Sequence, residues 1–485
     1  MSDFIYDLKL RGIVILGAGV SGVAIVKAAR KFNIPFSIVD EKMSSCEIDD
    51  RIENIINNFE SIAGNPIVIV SPGWKKDNVL VIEALSRNWE LMGEIDFAWC
   101  LKEQLAPMQK WIGVTGTNGK TTTIQMVESI INSSQIHGVA CGNVGVAAVD
   151  AVTHEPPYDL LALELSSFQI EWMRLAKLEA AAILNVAPDH IDWHGSFEAY
   201  RDAKFSLADR ARILIINSDD PTIDENYFAL THRENFVEKV VPFTLGIPGP
   251  GEIGLVEEVL VDRAFVKSAE NAEAFGELQD VKPLAPHNVS NALAAASLCL
   301  AVGANTPEDF PFTHESVNKG IKEFTVDRHR LELIAQINGI SWIDDSKATN
   351  PHAAAAALRS FHNVIWIAGG LAKGAQMDEL MESVGSRIKA AIVIGADREI
   401  IANALTARFP ETPCLRVGNG ETGLDLMRLV VKAARSIAQE ENVVLLAPAC
   451  ASMDQFKSYA DRGDSFARAV KEALFENEAE VESGA

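Results

Sequence analysis

The stretch Gly113–Thr123, GVTGTNGKTTT, lies between an apolar run and an amphipathic run. That order predicts a buried strand, a glycine-rich loop and the first turn of a helix. Backbone N–H groups at such a turn point into one concavity, and the amino terminus of the helix adds partial positive charge. The side chain of Lys120 can reach terminal phosphate oxygens, and the Thr121 hydroxyl can ligate Mg²⁺. The stretch therefore predicts a nucleoside triphosphate site. Its residues are Gly116, Thr117, Asn118, Gly119, Lys120, Thr121 and Thr122.

The spacing departs from the general phosphate-binding pattern GxxxxGK[ST] at one position. The first glycine of that pattern would stand at 114, where this chain has Val114, and Gly113 comes one residue too early. Gly116 and Gly119 remain and form the tighter segment TGTNGKT. A chance GKT triplet is the alternative, but the position between a strand and a helix favours a phosphate loop.

Bulk composition limits the class of protein. The chain has 485 residues, which is enough for two to four domains with sizeable cores. Its 48% hydrophobic and 23% charged residues are typical of a soluble globular protein. The formal net charge of −24 argues against nucleic acid as a partner. An anionic substrate would therefore need local basic side chains or helix amino termini.

Cysteine usage and the lack of long apolar runs predict where the protein works. The six cysteines form no CxxC pair and no close cluster with histidine. They are typical of reduced thiols in a cytosolic protein. No uninterrupted apolar run reaches about 18 residues, so neither export nor membrane insertion is expected. The expected location is the cytoplasm.

Apolar strand-like runs alternate with helical patterns throughout the chain, which predicts an α/β protein with parallel sheets. Breaks in this pattern occur near LKEQLAPMQK and near Phe324–Asp327. Residues 221–281 are less regular, and turns with a small accessory sheet are expected there. We predict three α/β units, residues 1–109, 110–326 and 327–485.

A second glycine loop, Gly17-Ala18-Gly19-Val20-Ser21-Gly22, follows the first predicted strand. Asp40 ends the next strand about 20 residues later, as the ribose-binding acid does in a dinucleotide fold. NAD, another diphosphate-bearing ligand, and close packing of strand on helix are three interpretations of this loop. Its geometry favours a pyrophosphate rather than a nicotinamide. Ser71 and Gly73 are expected at the same sheet edge, in either a second N–H cradle or an ordinary turn.

Three further polar segments follow strands of the middle unit, at the edge where α/β proteins bind ligands. They place Asn143 in a tight turn, Glu164 at a strand end and His190 just beyond another strand. Glu164, His190 and the Thr121 hydroxyl are candidate Mg²⁺ ligands beside the phosphates. His190 and His194 also match an i,i+4 zinc pair, but no obvious third ligand follows.

Lys204 lies in a helical stretch, AYRDAKFSLADRA. Such a lysine usually extends its amine to solvent. Desolvated near a bound metal, it would instead lose its proton and become chemically reactive.

Five motifs occur in one order over nearly the whole chain: TGTNGKT, LELSSFQ, NVAPDHIDWH, HNVSNALAA and DDSKATNPHA. Together they closely resemble the Mur ligase family of peptidoglycan synthesis. DSKATN and the later PACASMDQF resemble the members that add D-glutamate to UDP-N-acetylmuramoyl-L-alanine. The resemblance implies a Rossmann-like amino-terminal domain that binds UDP, a central P-loop ATPase-type domain, and a Rossmann-like carboxy-terminal domain that binds the amino acid. It also implies that the first glycine loop holds UDP and that no NAD is used.

The resemblance further implies roles for the matching residues. Catalytic positions correspond to Lys120, Asn143, His190 and Lys204, the last being a lysine that family members carry as a carbamate. Two Mg²⁺ ions would be held by Thr121, Glu164, His190 and the modified Lys204. ATP would contact the phosphate loop and also Asn288, Asn291, Arg330, Asp345 and Lys347. The UDP-sugar would contact Gly17, Gly19, Val20, Ser21, Gly22, Asp40, Ser71, Gly73 and Asn143. D-glutamate would contact Lys347, Thr349, Lys373, Ser452 and Tyr459.

The expected activity is therefore an ATP-dependent amide ligase that works through an acyl-phosphate, in a protein expected to be a monomer. Another muropeptide ligase or a folylpolyglutamate-type ligase is the nearest alternative. A nicotinamide oxidoreductase and a nucleotide-regulated binding protein are alternatives from other classes. Two departures from the family pattern stand out: Leu371-Ala372 replace an aspartate found in many relatives, and Tyr459 replaces a phenylalanine.

Overall fold

The chain divides into two compact units, residues 1–324 and 325–485, which we call the amino-terminal and carboxy-terminal units. The computed structural model describes residues 4–41, 43–48, 51–232, 237–268, 271–306, 308–325, 327–418 and 420–483. Three sheets and their flanking helices confirm the predicted α/β class. Residue 326, where the second predicted domain ends, lies outside the described residues. In the described part of the chain, no helix is both long and apolar enough to cross a membrane.

The amino-terminal unit begins with a six-stranded sheet in the order β3-β4-β2-β1-β5-β6. Its pairs are parallel except for the hairpin of β3 with β4. The elements are α1 (Phe4–Arg11), β1 (Ile13–Leu16), α2 (Val20–Phe32), β2 (Phe36–Val39), β3 (Ser45–Ile48), β4 (Arg51–Ile56), β5 (Ile67–Val70), α3 (Val79–Ser86), β6 (Glu90–Gly93) and α4 (Glu94–Leu105). Strands β1 and β5 are buried on both faces, as the continuous apolar runs IVIL and IVIV predict.

A nine-stranded sheet follows in the same unit, in the order β15-β14-β13-β12-β11-β10-β7-β9-β8. Its elements are β7 (Lys110–Thr115), α5 (Lys120–Ser133), β8 (Gly138–Gly142), α6 (Ala148–Val152), β9 (Leu160–Glu164), α7 (Ser167–Trp172), β10 (Leu178–Ile183), α8 (Ile191–His194), α9 (Phe197–Phe205), β11 (Ala211–Asn217), α10 (Pro221–Glu225), α11 (Tyr227–Thr231), β12 (Lys239–Phe243), β13 (Ile253–Val256), β14 (Val259–Asp262), β15 (Glu273–Glu277), α12 (Pro286–Asn305) and α13 (His314–Glu323). Short 3₁₀ turns lie at Ser206–Arg210 and Leu278–Asp280.

The prediction of a small accessory sheet at residues 221–281 is wrong in one respect, because these strands do not form a sheet of their own. Strand β12 pairs in parallel with β11, and β13 pairs in parallel with β12. Strands β14 and β15 then add antiparallel at the edge. The segment therefore extends the nine-stranded sheet, since an apolar strand such as KVVPF finds its backbone partners along the open edge of β11.

The two sheets of the amino-terminal unit share one hydrophobic core. Ile15 and Phe97 from the first sheet region belong to the same buried cluster as Trp111 and Leu163 from the second. The rings of Trp99 and Trp111 pack edge to face with centroids 5.1 Å apart. This continuous core explains why residues 1–324 form one compact unit.

The carboxy-terminal unit holds a six-stranded sheet in the order β16-β17-β21-β18-β19-β20. Among the strands that the structure describes in this unit, only β16 is antiparallel to its neighbour. The elements are β16 (Glu332–Ile337), β17 (Ile340–Asp344), α14 (Pro351–Arg359), β18 (Val364–Gly369), α15 (Asp378–Val384), a 3₁₀ turn at Gly385–Arg387, β19 (Ile388–Ile394), α16 (Arg398–Arg408), β20 (Cys414–Arg416), α17 (Gly423–Ile437), β21 (Val443–Leu446) and α18 (Tyr459–Ser483). The carboxyl ends of β17, β18 and β21 therefore meet at one edge.

A buried ion pair fastens the start of this unit. His329 is 5% exposed, and its Nδ1 lies 2.6 Å from Asp344 Oδ2 at the end of β17. The hydrogen bond with Asp344 raises the pKa of His329 above its ordinary value, although burial opposes the shift. A histidine whose pKa is raised by folding stabilises the folded state fully below its unfolded pKa, and that stabilisation is lost as pH rises through the folded pKa.

We expect His329→Asn to lower the free energy of unfolding around β17 by about 1.5–3 kcal/mol near pH 6, the range for hydrogen bonds to charged groups. Asparagine tolerates the left-handed backbone at this position, where φ is +68°. Hydrogen exchange of β17 amides across pH 6–9 measures the effect. The difference between wild type and variant should shrink as pH rises; a constant difference would contradict the pairing. His314→Asn, which removes a similar pair with Asp262, should leave β17 unchanged.

Candidate functional site

The predicted phosphate loop connects β7 to α5. Gly119 precedes the helix with φ +82°, and a Cβ there would lie 2.4 Å from Asn291 Oδ1, so the position requires glycine. Asn118 N donates to Asn185 Oδ1 at 2.8 Å, and Asn185 Nδ2 donates to Asn118 O at 3.0 Å. The loop is thus held open by neighbouring side chains, with the amino terminus of α5 behind it.

Two lysine amines converge on this loop. Lys120 Nζ donates to Gly116 O at 2.8 Å and to Thr117 O at 3.0 Å. Lys204 Nζ donates to the same Gly116 oxygen at 2.8 Å. Two amines thus share one carbonyl in an otherwise acidic chain, and Lys120 supplies a local basic group of the kind that an anionic substrate needs.

Lys204 is 1% exposed, so its amine does not extend to solvent. It also lies 3.5 Å from Thr115 Oγ1 and 4.7 Å from the centre of the Tyr200 ring. Burial, and next the charge of Lys120, lower the pKa of Lys204 well below its ordinary value. A larger fraction of the amine is therefore neutral and nucleophilic than in an exposed lysine.

Tyr200 is a residue that the sequence reasoning missed. Its hydroxyl lies 2.9 Å from Thr117 Oγ1, and the side chain is buried. The Thr117 hydroxyl in turn contacts the backbone of Ala187. The spacing of the two residues could have indicated Tyr200, because Tyr200 and Lys204 are four residues apart on α9 and therefore share a helix face.

The strand-end residues lie where the prediction placed them. Val114 pairs with Glu164, which brings the end of β9 next to the phosphate loop. Glu164 is 2% exposed, and its Oε1 accepts from Asn143 Nδ2 at 3.0 Å. Its Oε2 is buried and has no hydrogen-bond partner among the described residues. A buried carboxylate oxygen without a donor is costly unless a cation or a ligand group satisfies it.

His190 occupies a left-handed backbone position, with φ +51°, just before α8. Its side chain is 47% exposed and its Nε2 lies 3.8 Å from Asp189 Oδ2. Burial lowers the pKa of His190, and the charge of Asp189 opposes that shift. The nearby Lys120 and Lys204 lower the pKa further. A neutral imidazole beside the loop is the form that ligates metal ions.

His194 does not join His190 in a zinc pair in this structure. Its Nε2 lies 3.0 Å from Ser167 Oγ, and its ring stacks on Phe168 with centroids 5.7 Å apart. Burial lowers the pKa of His194 to about 4, so the ring is neutral and its Nε2 shares a hydrogen bond with the Ser167 hydroxyl. The Phe168 ring also packs edge to face with His190, with centroids 4.8 Å apart.

The adenine-site candidates lie at the start of α12. Asn288 and Asn291 are 5% and 6% exposed. Asn288 Nδ2 donates to Pro283 O at 3.0 Å, and Asn291 Oδ1 accepts from Thr123 Oγ1 at 3.2 Å. Asn291 therefore contacts the helix that follows the phosphate loop.

The first glycine loop has the geometry of a cradle. Gly17 has φ +101°, and a Cβ at Gly22 would lie 2.0 Å from Gly17 O, so both positions exclude side chains. Nothing lies within 4 Å of a Cβ built at Gly19. Asp40 Oδ2 accepts from Ala18 N at 3.0 Å, and Ser21 Oγ donates to Glu94 Oε2 at 3.0 Å. Val20, at the start of α2, is 78% exposed.

Ser71 lies against this cradle, as predicted for the end of β5. Its Oγ donates to Gly17 O at 3.4 Å. Gly73 follows two residues later, with nothing within 4 Å of a built Cβ.

The remaining predicted residues belong to the carboxy-terminal unit. Lys347 Nζ lies 4.0 Å from the centre of the Tyr459 ring, so these two candidates for the amino-acid pocket meet. Asp345 Oδ1 accepts a hydrogen bond from Leu331 N at 3.2 Å. Leu331 directly follows Arg330, another predicted ATP contact. Burial raises the pKa of Asp345 to about 7.

Arg462 organises this edge, although the sequence reasoning did not single it out. It is fully buried and donates to Ser346 Oγ and O, both at 2.9 Å, and to Cys450 O at 3.1 Å. It therefore ties the DSKATN segment to the segment that carries Ser452, which is 4% exposed. Thr349 lies in the former segment, where its N–H donates to Lys347 O at 2.8 Å.

The first departure from the family pattern, Leu371-Ala372, lies directly before Lys373 in the sequence. Leu371 pairs antiparallel with Ala451, and Ala372 N donates to Asp397 Oδ2 at 2.7 Å. The carboxylate of Asp397, the residue directly before α16, thus contacts the segment that lacks an aspartate of its own. Lys373 itself has a left-handed backbone, with φ +49°.

Comparisons with known proteins find similarity in both units of the chain. The Mur ligase middle domain matches residues 114–299, and the Mur ligase, glutamate ligase domain matches residues 329–450. A Streptomyces coelicolor protein named UDP-N-acetylmuramoylalanine--D-glutamate ligase is 40% identical over 474 residues, which cover 95% of this chain and 98% of that protein. A Thermobifida fusca protein of the same name is 39% identical over 477 residues, which cover 96% and 99%.

Among solved structures, a pseudomurein peptide ligase type C from Methanothermus fervidus superposes with a TM-score of 0.59. The two chains are 15% identical, with 95% of this chain and 99% of that chain covered, so the likeness concerns the fold alone. The curated relatives carry the similarity over nearly their whole length, and the motifs at the phosphate loop and at DSKATN lie inside the matched domains. The chain therefore belongs to the Mur ligase family.

Proposed function

We propose that this protein joins the amine of D-glutamate to the alanine carboxylate of UDP-N-acetylmuramoyl-L-alanine, at the expense of ATP. The observation that carries the proposal is the phosphate loop with two lysine amines on one carbonyl, beside a buried carboxylate with an unsatisfied oxygen. The name shared by relatives at 36–40% identity supports the choice of substrates. The protein would act as a monomer in the cytoplasm.

The reaction needs activation because a carboxylate and an ammonium do not condense at neutral pH. The γ-phosphate of ATP passes to the alanine carboxylate and ADP leaves, which yields an acyl-phosphate. The neutral amine of D-glutamate then attacks the acyl carbon, and inorganic phosphate departs from the tetrahedral intermediate. Lys120 would stabilise the charge on the phosphoryl group during transfer.

The donor set at the sheet edge is suited to Mg²⁺. The unsatisfied Oε2 of Glu164 is the observation that supports a cation there, and oxygen donors are those that Mg²⁺ prefers. Thr121, Glu164 and His190 would hold the metal, with a carbamate on Lys204 for a second ion. When bound, Mg²⁺ neutralises charge on the phosphate oxygens.

The surroundings of Lys204 support a carbamate on its amine. Carbamate formation joins the neutral amine to CO₂ with loss of one proton. The buried amine of Lys204 has a strongly lowered pKa, so the neutral form that the reaction needs is accessible. The modification would place an anion next to the positive charge of Lys120, which would stabilise it.

The other predicted residues receive the roles that the family resemblance implied. The cradle at Gly17–Gly22, with Asp40, Ser71 and Gly73, would bind the UDP part, and Asn143 the sugar-peptide part. Asn288, Asn291, Arg330 and Asp345 would contact ATP. Lys347, Thr349, Lys373, Ser452 and Tyr459 would bind D-glutamate, with the lysines opposite its carboxylates. We also propose the division into domains 1–109, 110–326 and 327–485.

Phosphate release by the purified protein tests this function. Release should require UDP-N-acetylmuramoyl-L-alanine, ATP, Mg²⁺ and D-glutamate together. Equal release with meso-diaminopimelate or L-lysine would contradict the specificity and favour another muropeptide ligase. No ADP with any acceptor would favour a nucleotide-regulated binding protein, and NAD(H) binding would favour an oxidoreductase.

A further inference from the structure

The segment Ser71–Lys76, which we call the bridging loop, lies directly against the first glycine cradle. A Cβ built at Gly17 would lie 2.8 Å from both Ser71 Oγ and Trp74 Nε1. Ser71 Oγ also donates to Gly17 O. One end of the bridging loop is therefore in contact with the residues proposed to hold the UDP diphosphate.

The other end of the bridging loop is bonded to α8, the turn that begins directly after His190. Lys75 Nζ donates to Asp192 O at 2.9 Å. Trp193 Nε1 donates to Gly73 O at 3.2 Å. Both partners in α8 lie within three residues of His190, which directly precedes this helix in a left-handed backbone conformation.

The bridging loop is also bonded to α7, but these contacts do not involve the His190 turn. Trp172 Nε1 donates to Trp74 O at 2.9 Å. Lys76 Nζ pairs with Glu171 Oε1 at 2.5 Å. Lys75 therefore contacts α8, whereas the neighbouring Lys76 contacts α7. Substitutions of the two lysines can distinguish the contact with α8 from the contact that supports the loop on α7.

We propose that Lys75 and Trp193 are positioning residues that set the spacing between the UDP cradle and the His190 turn. The inference rests on the proposed function. One substrate must occupy both places at once, with its diphosphate at the cradle and its alanine carboxylate at the phosphate loop. A small error in this spacing moves the carboxylate away from the in-line position, and a misplacement of about 1 Å costs on the order of 10²-fold in rate.

The test compares Lys75→Met and Trp193→Phe, singly and combined, with wild type. We expect each single change to lower kcat about three- to tenfold, and the double change to lower it further, because each removes one hydrogen bond. The dissociation constant of UDP-N-acetylmuramoyl-L-alanine, measured by calorimetry without ATP, should stay within about twofold. A purely structural role would instead lower the thermal midpoint and weaken substrate binding in parallel.

Two variants serve as matched controls. Lys76→Met removes the neighbouring lysine and its contact with α7. Trp89→Phe removes an indole donor with the same 3.2 Å geometry, to Gly64 O, in the same sheet region. Both should retain wild-type kcat. Unchanged kcat in the double variant, or equal losses in the controls, would overturn the inference. A wild-type protein that binds no UDP-sugar or releases no phosphate would overturn the proposed function itself.

Discussion

Lys120→Ala is expected to lower kcat by about 10²–10³-fold, the range for removal of one preorganised group that stabilises transition-state charge. In the structure the Lys120 amine already lies on the phosphate loop, bonded to Gly116 O and Thr117 O. When ATP binds, the amine needs only to turn from these carbonyls to the phosphate oxygens. The loss should therefore appear in kcat more than in the KM for UDP-N-acetylmuramoyl-L-alanine.

Steady-state phosphate release measures this effect, and circular dichroism checks that the fold is retained. The rest of the loop is held by Asn185 and Gly119, which the substitution does not touch. Lys110→Ala is a suitable control, since this lysine lies at the far end of β7 and pairs with Glu179 at 2.7 Å. Activity of Lys120→Ala within tenfold of wild type would contradict the assigned role.

Lys204→Ala is expected to abolish most activity, and a short carboxylate such as acetate should restore part of it. Activity should fall because the buried amine of Lys204 lies within the candidate site, 2.8 Å from the Gly116 O that Lys120 also contacts. If the working form is a carbamate, the missing group is an anion of carboxylate size. The alanine variant leaves space for such an anion where the lysine side chain was.

Acetate should not restore Lys120→Ala, because the group missing there is a cation. Lys204→Arg separates the two possibilities further, since a guanidinium keeps the positive charge and cannot form a carbamate. Arginine activity near wild type, with no acetate rescue of the alanine variant, would refute the carbamate. Carbon-13 NMR of the protein in labelled bicarbonate gives a readout that is independent of turnover.

Local sequence was sufficient for the phosphate loop. Gly119 needs a positive φ, the following helix provides the dipole, and Lys120 stands at its first position. Strand-end predictions for Glu164 and His190 were also correct in place, because parallel strands carry their carboxyl ends to one edge. The burial of Lys204 could not be read from its helix, since AYRDAKF is equally suited to an exposed face.

Sequence alone also did not show the course of residues 221–281 or the bridging loop. Strand β12 finds its partner in β11, and an unpaired strand can add to any open edge. Gly73 and Trp193 are 120 residues apart, and a hydrogen bond between them leaves no periodic signal in either segment. Arg462 bonds to Ser346 over a separation of 116 residues for the same reason.

By itself, the sequence determined the α/β class, the phosphate loop and the order of the site motifs, because short-range backbone conformation and apolar periodicity decide these features. Only the tertiary structure decided that two lysines share one carbonyl, that Glu164 has an oxygen without a partner among the described residues, and that the bridging loop connects the cradle to α8. These features depend on burial and on partners distant in the chain. Desolvation and close approach, which set the chemistry of such groups, exist only after the elements have packed.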